Sequence, residues 1–251
     1  MNKLAICMPV YNEQDGILDW ITELTNQFPS KSVKFIIVDD ASTDASFEVL
    51  YRESKKNQKI ILVKNDVNLG HGPSLIRALS FALKHNFLNV MSMDGDGQCS
   101  AWELKAFYEG FVRSKLNYGE ANRINRLDPF YRQIVSKITK IVTSILTKSK
   151  VVDANTPIRL YKRKTLNELL KIIELDCLVP NLVITKIIRL RKIKTFNSSV
   201  NWSFRRGKNP VGSTWSANQK FNYYLPNIKF VKFCFKASKY YFKKRQIDFE
   251  N

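Results

Sequence analysis

Two carboxylates stand one residue apart in the glycine-rich stretch Asp94-Gly95-Asp96-Gly97-Gln98, which directly follows the apolar run Phe87–Met91. Divalent cations such as Mg²⁺ and Mn²⁺ prefer oxygen ligands, and Mg²⁺ often keeps substrate phosphates in its coordination shell. A carboxylate pair on a loop that leaves a strand therefore suits a cation that bridges a diphosphate. Because Asp-x-Asp also occurs in ordinary turns, the weight of this motif depends on the elements that position it.

The N-terminal part of the chain alternates between short apolar runs and amphipathic segments. The runs are rich in Ile, Val and Leu, which is typical of buried parallel strands. The predicted strands are Lys3–Met8, Val33–Val38, Lys59–Lys64 and Asn86–Met93. Between them, apolar residues recur at helical spacing, as in residues 17–28 and 75–83. This alternation predicts an α/β fold with an open, mostly parallel sheet and helices on both of its faces.

A polar cluster follows each predicted strand. The four clusters lie at residues 9–13, 39–44, 65–72 and 94–98. In open α/β sheets, ligands bind outside the carboxyl ends of the strands. One such cluster could be a simple turn, but four in register predict a single crevice that carries several carboxylates.

In order and spacing these clusters resemble glycosyltransferase family 2, a family of inverting enzymes with the GT-A fold. The matching motifs are Pro9-Val10-Tyr11-Asn12-Glu13, Val38-Asp39-Asp40-Ala41-Ser42-Thr43-Asp44, Asn68-Leu69-Gly70-His71-Gly72 and Asp94-Gly95-Asp96-Gly97-Gln98. The resemblance covers residues 3 to about 115, and the Asp-x-Asp-x-Gln form is most similar to the polyprenyl-phosphate (dolichol-phosphate mannose synthase-like) branch. Ala41 departs from the pattern, since glycine is usual there, and Pro73-Ser74 replaces a more typical pair of small residues.

The resemblance implies a nucleotide-sugar donor and a divalent metal, Mg²⁺ or Mn²⁺. Asp39 would hold the base or ribose, and Asp94 would lie beside the ribose and diphosphate. Asp96 would ligate the metal, with Asp94 and Gln98 completing its protein ligands. The full expected donor-binding set is Pro9, Tyr11, Glu13, Asp39, Asp94, Gly95 and Asp96. A bound cation stabilises the charge that develops on a diphosphate leaving group, and it needs no proton transfer.

The match after Tyr118 is thinner but keeps its order. Residues 119–123 occupy the place of a Gly-x-Arg element, and residues 152–163 resemble a segment that returns to the active site, with Thr156-Pro157-Ile158 departing from it. Residues 202–210 resemble an Arg…Gly-x-Ser loop, with Asn209 where serine is usual. These departures concern the acceptor side of the expected site more than the donor side.

Two acceptor classes remain open at this point. Transfer to a saccharide hydroxyl needs a carboxylate base, for which Asp153 is the first candidate and Glu174 or Asp176 the next. A lipid phosphate is already an anion, so it needs cations instead, and arginine suits phosphate because its guanidinium can pair with two oxygens. The available arginines are Arg123, Arg126, Arg132, Arg159, Arg205 and Arg206. We expect catalytic roles for Asp153, Arg123 and Arg205, and acceptor binding by Arg159, Arg205 and Arg206.

Charge is distributed unevenly along the chain. Residues 1–110 carry a net charge of −3 and residues 111–251 a net charge of +22, within a total of +19. The basic half is expected to meet phosphates or anionic lipid. Nucleic acid is not expected as a partner, because no recognisable basic motif or stacking platform is visible and the acidic crevice would be unexplained.

Two stretches combine apolar bulk with lysine, as interfacial helices do. The first contains Ile134, Ile138, Ile141, Val142, Ile145 and Leu146, and the second contains Phe230, Val231, Phe233, Phe235, Tyr240, Tyr241 and Phe242. No apolar run is long enough for a spanning helix. We therefore expect a cytoplasmic protein, peripheral on the inner face of the membrane. Its expected regions are a nucleotide-sugar-binding half at 1–115, an acceptor-binding half of the same domain at 116–213, and a basic, aromatic helical extension at 214–251.

Overall fold

The computed structural model describes residues 3–126, 130–207 and 228–243. Within these ranges, seven strands form one mixed sheet. The strands are β1 (Leu4–Val10), β2 (Val33–Asp39), β3 (Ile60–Lys64), β4 (Asn89–Ser92), β5 (Tyr118–Ile124), β6 (Arg159–Lys162) and β7 (Thr195–Asn201). The described helices are α1 (Ile17–Gln27), α2 (Ser46–Lys56), α3 (His71–Lys84), α4 (Ala101–Ser114), α5 (Phe130–Thr147), α6 (Arg163–Ile172), α7 (Pro180–Leu190) and α8 (Ile228–Phe242).

The strand order is β3-β2-β1-β4-β6-β5-β7. The first four of these strands are parallel, whereas β6 runs antiparallel to both β4 and β5. β7 then pairs in parallel with β5. The predicted α/β class with a mostly parallel sheet is confirmed, and the four predicted strands all form, with ends that differ from the expected ones by at most three residues.

The register brings the polar clusters to one edge of the sheet. Val10 pairs with Asp39, and Asp39 pairs with Lys64, so the segments that follow β1, β2 and β3 leave the sheet side by side. β4 lies on the other side of β1, where Cys7 pairs with Ser92. The loop of Asp94 and Asp96 therefore emerges next to the loop that follows β1.

Helices cover both faces of the sheet, which is why the parallel strands are apolar on both sides. One core packs α1 and α4 on the sheet through side chains such as Trp20 and Phe107. The other packs α3, α6 and α7 through side chains such as Leu79 and Ile184. Each of these side chains is buried, and burial of one large apolar side chain contributes about 1.5–3 kcal/mol. The two cores fix the strand ends that carry the polar loops.

The start of α3 packs tightly on the loop between α6 and α7. A Cβ atom added at Gly72 would lie 2.2 Å from the carbonyl oxygen of Cys177 and 2.7 Å from that of Leu178. Only a residue without a side chain allows the two backbones to approach this closely. The contact anchors the N-terminus of α3 beside the carboxyl ends of the strands.

We expect Gly72→Ala to lower the free energy of unfolding by about 2–3 kcal/mol, because the added methyl group overlaps backbone atoms that cannot move independently. Helix propensity alone would make the alanine variant more stable by about 1 kcal/mol. The sign of the measured change therefore shows whether the steric overlap or the helix propensity dominates. Urea denaturation followed by circular dichroism measures the change. Ser80→Ala, on the same helix, serves as the control and should leave stability nearly unchanged.

Candidate active site

The two carboxylates at the end of β2 have different environments. Asp40 is fully committed to the fold, since its oxygens accept hydrogen bonds from the backbone N–H groups of Leu69 and Gly70 and from the amide of Asn65, each at 2.7–2.8 Å. Asp39 uses only Oδ2, which accepts from the N–H of Ser42 at 3.1 Å. Its Oδ1 is buried and has no hydrogen-bond partner among the described residues.

An unpaired buried carboxylate oxygen is costly unless a ligand completes it. Burial raises the pKa of Asp39, although the hydrogen bonds from Ser42 oppose the shift. The position suits a ligand group that donates an N–H or O–H to Oδ1. Unlike Asp40, Asp39 therefore keeps one buried oxygen that no described residue binds.

The side chain of Asp94 contacts a histidine at the start of α3. The Nε2 atom of His71, the first residue of α3, lies 2.7 Å from Oδ1 of Asp94. Burial raises the pKa of Asp94, but His71, Arg123 and Arg205 outweigh it and hold the pKa below its ordinary value. Conversely, burial lowers the pKa of His71, and Asp94 outweighs this and raises it. The pair fixes Asp94 as an ionised carboxylate.

Arg205 bridges two acidic side chains that are distant in the sequence. Its Nη1 atom lies 3.1 Å from Oδ2 of Asp96, and its Nη2 atom forms an ion pair with Glu13. Asp96 and Glu13 are only 6% and 7% exposed. Burial raises the pKa of Glu13 to about 7 and that of Asp96 to about 6, even though Arg205 opposes both shifts. Arg205 thus supplies the positive charge that stabilises the ionised forms of these two buried carboxyl groups.

The segment at 203–207 lies along the Asp94–Gln98 loop. Ser203 donates its N–H to the carbonyl oxygen of Gln98 at 2.7 Å, and the Gln98 side chain donates back to the carbonyl oxygen of Ser203 at 2.9 Å. The N–H of Arg206 binds the carbonyl oxygen of Asp96 at 3.0 Å. The Arg206 guanidinium lies over the ring of Trp20 and forms an ion pair with Glu23. The segment is held as a strap over the carboxylate loop.

Gly95 allows this loop to pack against the end of β1. A Cβ atom at this position would lie 2.6 Å from the Val10 side chain and 2.9 Å from the carbonyl oxygen of Pro9. The expected donor residues Pro9 and Gly95 therefore meet through the backbone. Tyr11 follows on the half-buried loop between β1 and α1.

Another ion pair lies at the end of β5. Arg123 Nε is 2.7 Å from Oδ2 of Asp153, and its Nη2 is 3.0 Å from Oδ1, so the pair is two-pronged. The guanidinium also lies over the ring of Trp202, 5.2 Å from its centroid. Burial raises the pKa of Asp153, but Arg123 outweighs it and brings the pKa below its ordinary value. Asp153 is therefore ionised and has its charge already neutralised.

Arg159 lies in the interior rather than in the crevice. It is 0% exposed and donates to the carbonyl oxygens of Thr156 and Asn181 and to the hydroxyl of Thr185, at 2.8–3.0 Å. Its guanidinium also lies 3.9 Å from Glu120, which pairs with Arg189. These contacts join β5, β6 and α7. Because the N–H groups of Arg159 already donate to protein oxygens, the geometry does not favour the acceptor-binding role expected for this residue.

The other two candidates for a catalytic base face α8. Glu174 pairs with Lys243, and Asp176 accepts a hydrogen bond from Tyr240. Arg126 follows the end of β5 and is half-buried. Asp128, the side chain of Arg132 and the motif residues Lys208-Asn209-Pro210 lie outside the described residues. The structure brings together Glu13, Asp39, Asp94, Gly95, Asp96, Gln98, Arg123, Asp153, Arg205 and Arg206.

The carboxylates of the Asp94–Gln98 loop suit a cation whose remaining ligands come from a substrate. Among the described residues, no group of three or more His, Cys, Asp or Glu side chains could hold a metal ion by itself. Asp94 and Asp96 nevertheless supply hard oxygen ligands one residue apart, and Mg²⁺ is commonly held by one or two carboxylates plus substrate phosphates. Gln98 directs its amide N–H to Ser203. The two aspartates are thus the better-placed ligands.

Sequence reasoning assigned no role to His71 and did not identify Trp20 or Glu23. His71 stands between two glycines in the polar segment that links β3 to α3, at the carboxyl edge of the sheet, and that placement was the available signal. No local sequence pattern marks Trp20 or Glu23 as part of the site, because α1 has the spacing of an ordinary amphipathic helix. Their contact with Arg206 spans more than 180 residues of sequence and depends on the tertiary fold.

We expect Arg205→Met to destabilise the protein more at about pH 8 than at about pH 5, by about 1–3 kcal/mol in unfolding free energy. Glu13 and Asp96 have raised pKa values, so the folded state binds extra protons and loses stability as pH rises from about 4 to 7. Without Arg205 both pKa values rise further, which steepens this loss. Urea denaturation at the two pH values measures it.

Arg206→Met is the matched control, because its partner Glu23 is one-third exposed and lies outside the buried acidic pair. Its effect should be nearly the same at both pH values. Equal pH dependence in the two variants would contradict the role assigned to Arg205.

Comparison with known proteins places the fold and the family. A family model described as Glycosyl transferase family 2 matches residues 5–170. The chain is 37% identical over 95 residues to the poly(ribitol-phosphate) beta-glucosyltransferase of Bacillus spizizenii, which covers 37% of this chain and 15% of that protein. It is 25% identical over 187 residues to the undecaprenyl-phosphate 4-deoxy-4-formamido-L-arabinose transferase of Salmonella choleraesuis, covering 72% of this chain and 55% of that one. The chain thus spans about half the length of the Salmonella protein and a much smaller part of the Bacillus protein.

Solved structures share the fold at low sequence identity. S. aureus TarS 1–349 superposes with a TM-score of 0.57 at 17% identity, covering 80% of this chain and 60% of that one. Glucosyl-3-phosphoglycerate synthase of Mycobacterium tuberculosis, solved with Mn²⁺, UDP and glucosyl-3-phosphoglycerate, gives 0.60 at 13% identity, covering 82% and 73%. These similarities confirm the expected GT-A-type fold. Since the family model matches most of the chain and its motifs form one edge of the sheet, this protein belongs to glycosyltransferase family 2.

Proposed function

We propose that this protein is an inverting glycosyltransferase that moves a sugar from a nucleotide-diphosphate sugar to a polyprenyl phosphate at the membrane surface. One observation carries the proposal. The same sheet edge holds a buried carboxylate with an unpaired oxygen, Asp39, and the adjacent carboxylates Asp94 and Asp96. A nucleotide-diphosphate sugar needs both, since its base or ribose donates hydrogen bonds and its diphosphate carries charge that a cation can bridge.

The donor would lie across the carboxyl ends of β1, β2 and β4. Asp39 Oδ1 would accept a hydrogen bond from the base or the ribose, with the Pro9–Glu13 loop beside it. His71 orients Asp94 toward its role near the ribose and diphosphate. This placement follows the general rule for ligands in open α/β sheets.

A divalent metal, Mg²⁺ or Mn²⁺, would be held by Asp94 and Asp96, with Gln98 beside them. When bound, such a cation stabilises the charge of the departing nucleotide diphosphate. Solved relatives contain Mn²⁺ with GDP-Man or with UDP, which supports a divalent metal here. Arg205 and Arg123 add fixed positive charge on the same side of the crevice, as the pKa of Asp94 reflects.

The state of Asp153 favours a phosphate acceptor. A hydroxyl acceptor needs a base, and Asp153 is bound at both oxygens by Arg123 with its pKa lowered, so it would attract a proton poorly. The next candidates, Glu174 and Asp176, are engaged with α8. A phosphate oxygen is already anionic and can attack the anomeric carbon directly while the diphosphate leaves from the opposite face. The similarity to undecaprenyl-phosphate transferases agrees with this acceptor class.

An alternative is transfer to a saccharide hydroxyl during assembly of a surface polysaccharide. The similarity to a poly(ribitol-phosphate) beta-glucosyltransferase over 95 residues favours it. In that case Asp153 would have to release Arg123 and accept the proton of the acceptor hydroxyl instead. The two functions share the donor and metal residues and differ in what the back half of the chain binds.

A lipid acceptor implies that the protein works at a membrane. No described helix has the length and apolarity needed to cross a bilayer. We propose peripheral association with the inner face of the membrane, where the basic residues of the 111–251 region would meet anionic lipid.

Asp39→Asn should weaken the affinity for UDP or GDP about tenfold or more while leaving the fold intact. The asparagine can keep the Ser42 hydrogen bond only by turning its carbonyl oxygen to Ser42, which places an N–H₂ group where the ligand needs an acceptor. Isothermal titration calorimetry with each nucleotide measures the change. Asp66→Asn, an exposed aspartate after β3, is the control and should bind as the unchanged protein does.

The function itself is tested by transfer from labelled UDP- and GDP-sugars in the presence of Mn²⁺ and membranes. We expect label in an organic-extractable product that mild acid releases, which identifies a single sugar on a polyprenyl phosphate. Asp96→Ala should abolish this metal-dependent transfer without unfolding the protein, because it removes a buried carboxylate from the proposed metal site.

Label only on an existing saccharide would instead identify a hydroxyl acceptor, and Asp153 would be the first base to substitute. Retained transfer by Asp96→Ala would contradict the metal assignment. Absence of transfer from every donor, with the nucleotides still bound, would contradict the proposed reaction.

A further inference from the structure

Helix α5 has its polarity reversed with respect to the protein. Thr143 and Thr147 are buried, and their hydroxyls donate to the carbonyl oxygens four residues earlier, at 2.6 and 2.8 Å. Ile138, Ile141 and Ile145 lie on the other side and are 53%, 57% and 69% exposed. A helix on a globular protein normally turns its apolar stripe to the core. Exposed isoleucines above buried threonines indicate that something apolar covers this side.

Helix α8 continues the same surface. Tyr241 donates its hydroxyl to Oγ1 of Thr143 at 2.7 Å, so the inner sides of α5 and α8 meet. Lys186 anchors α8 by donating to the carbonyl oxygen of Tyr241 at 2.7 Å. Ala237 and Tyr241 are buried, whereas Val231 and Phe235 are 50% and 68% exposed. We call the exposed sides of these two helices the α5–α8 face.

The charge of the α5–α8 face selects its partner. Neither α5 nor α8 contains an aspartate or glutamate. Exposed lysines stand between the apolar residues on both helices, at Lys137, Lys140, Lys232, Lys236 and Lys239. A second copy of the chain would bring these like charges together, which opposes association. An anionic bilayer accepts the apolar side chains and attracts the lysines at the same time.

We propose that the α5–α8 face docks the protein on anionic lipid bilayers. The inference deepens the proposed function and rests on it, since a polyprenyl-phosphate acceptor would bring the enzyme to a bilayer. The chain leaves β5 just after Arg123, runs along α5, and returns to Asp153, which pairs with Arg123 again. Both ends of α5 thus connect to the Arg123–Asp153 pair, and docking through α5 would bring this part of the chain to the lipid surface.

Sedimentation with lipid vesicles tests the docking surface. The unchanged protein should bind vesicles of equal parts phosphatidylcholine and phosphatidylglycerol, bind pure phosphatidylcholine far less, and release as salt is raised. Ile141→Glu and Phe235→Glu should each lower the partition coefficient about tenfold or more. Trp102→Glu on α4 is the matched control, because Trp102 is 60% exposed and the change in charge is the same. It should bind as the unchanged protein does.

Binding that is equal in Ile141→Glu, Phe235→Glu and Trp102→Glu would overturn the proposal. A dimer in light scattering that the two face variants convert to monomer, with no effect on vesicle binding, would overturn it in favour of a second copy. UDP and GDP binding, measured on the same variants without lipid, separates the two proposals. Lost vesicle binding with normal nucleotide affinity supports the docking surface, and vesicle binding without any nucleotide affinity contradicts only the proposed function.

Discussion

The site depends on balancing the negative charge that converges at the carboxyl edge of the parallel strands. Glu13, Asp39, Asp40, Asp94 and Asp96 all reach this edge, and most of them are buried. Two unit charges about 4 Å apart interact with about 4 kcal/mol at an effective dielectric constant of 20, so such a cluster needs cations. Arg205 pairs with both Glu13 and Asp96, and His71 pairs with Asp94. Both basic groups enter from other segments, and they tie the strap and α3 to the sheet.

This dependence explains why the strap at 203–207 is ordered on the carboxylate loop. Its backbone hydrogen bonds to Gln98 and Asp96 set its position. Arg205 then pairs with Glu13 and Asp96, and Arg206 pairs with Glu23. Removing one partner of a buried pair leaves an uncompensated charge, which costs more than the pair contributes. Arg205, whose two partners are buried, therefore stabilises the crevice.

The sequence allowed prediction of the donor half but not of the acceptor half, and the reason is physical. Strand periodicity and polar loops are local, so β1 to β4 and the convergence of Asp39, Asp94 and Asp96 follow from spacing alone. The Arg205 contacts span 192 and 109 residues and need the complete fold. Arg159 could not be distinguished from a ligand-binding arginine, because burial of a charged residue in a network with Glu120 leaves no local pattern. The apolar stripe of α5 was visible, but only the structure shows that it faces outward.

The difference in charge between the two halves bears directly on the choice of acceptor. A phosphate acceptor must approach a donor diphosphate, and two anions at contact distance repel by several kcal/mol even when partly screened. Under the proposed function, positive charge in residues 111–251 would offset that repulsion, whereas a neutral hydroxyl acceptor would gain little from it. The hydroxyl acceptor would instead need a free carboxylate, and Asp153 is held by Arg123 at both oxygens. A chain that places arginine where a base is required is better suited to an acceptor that arrives already ionised.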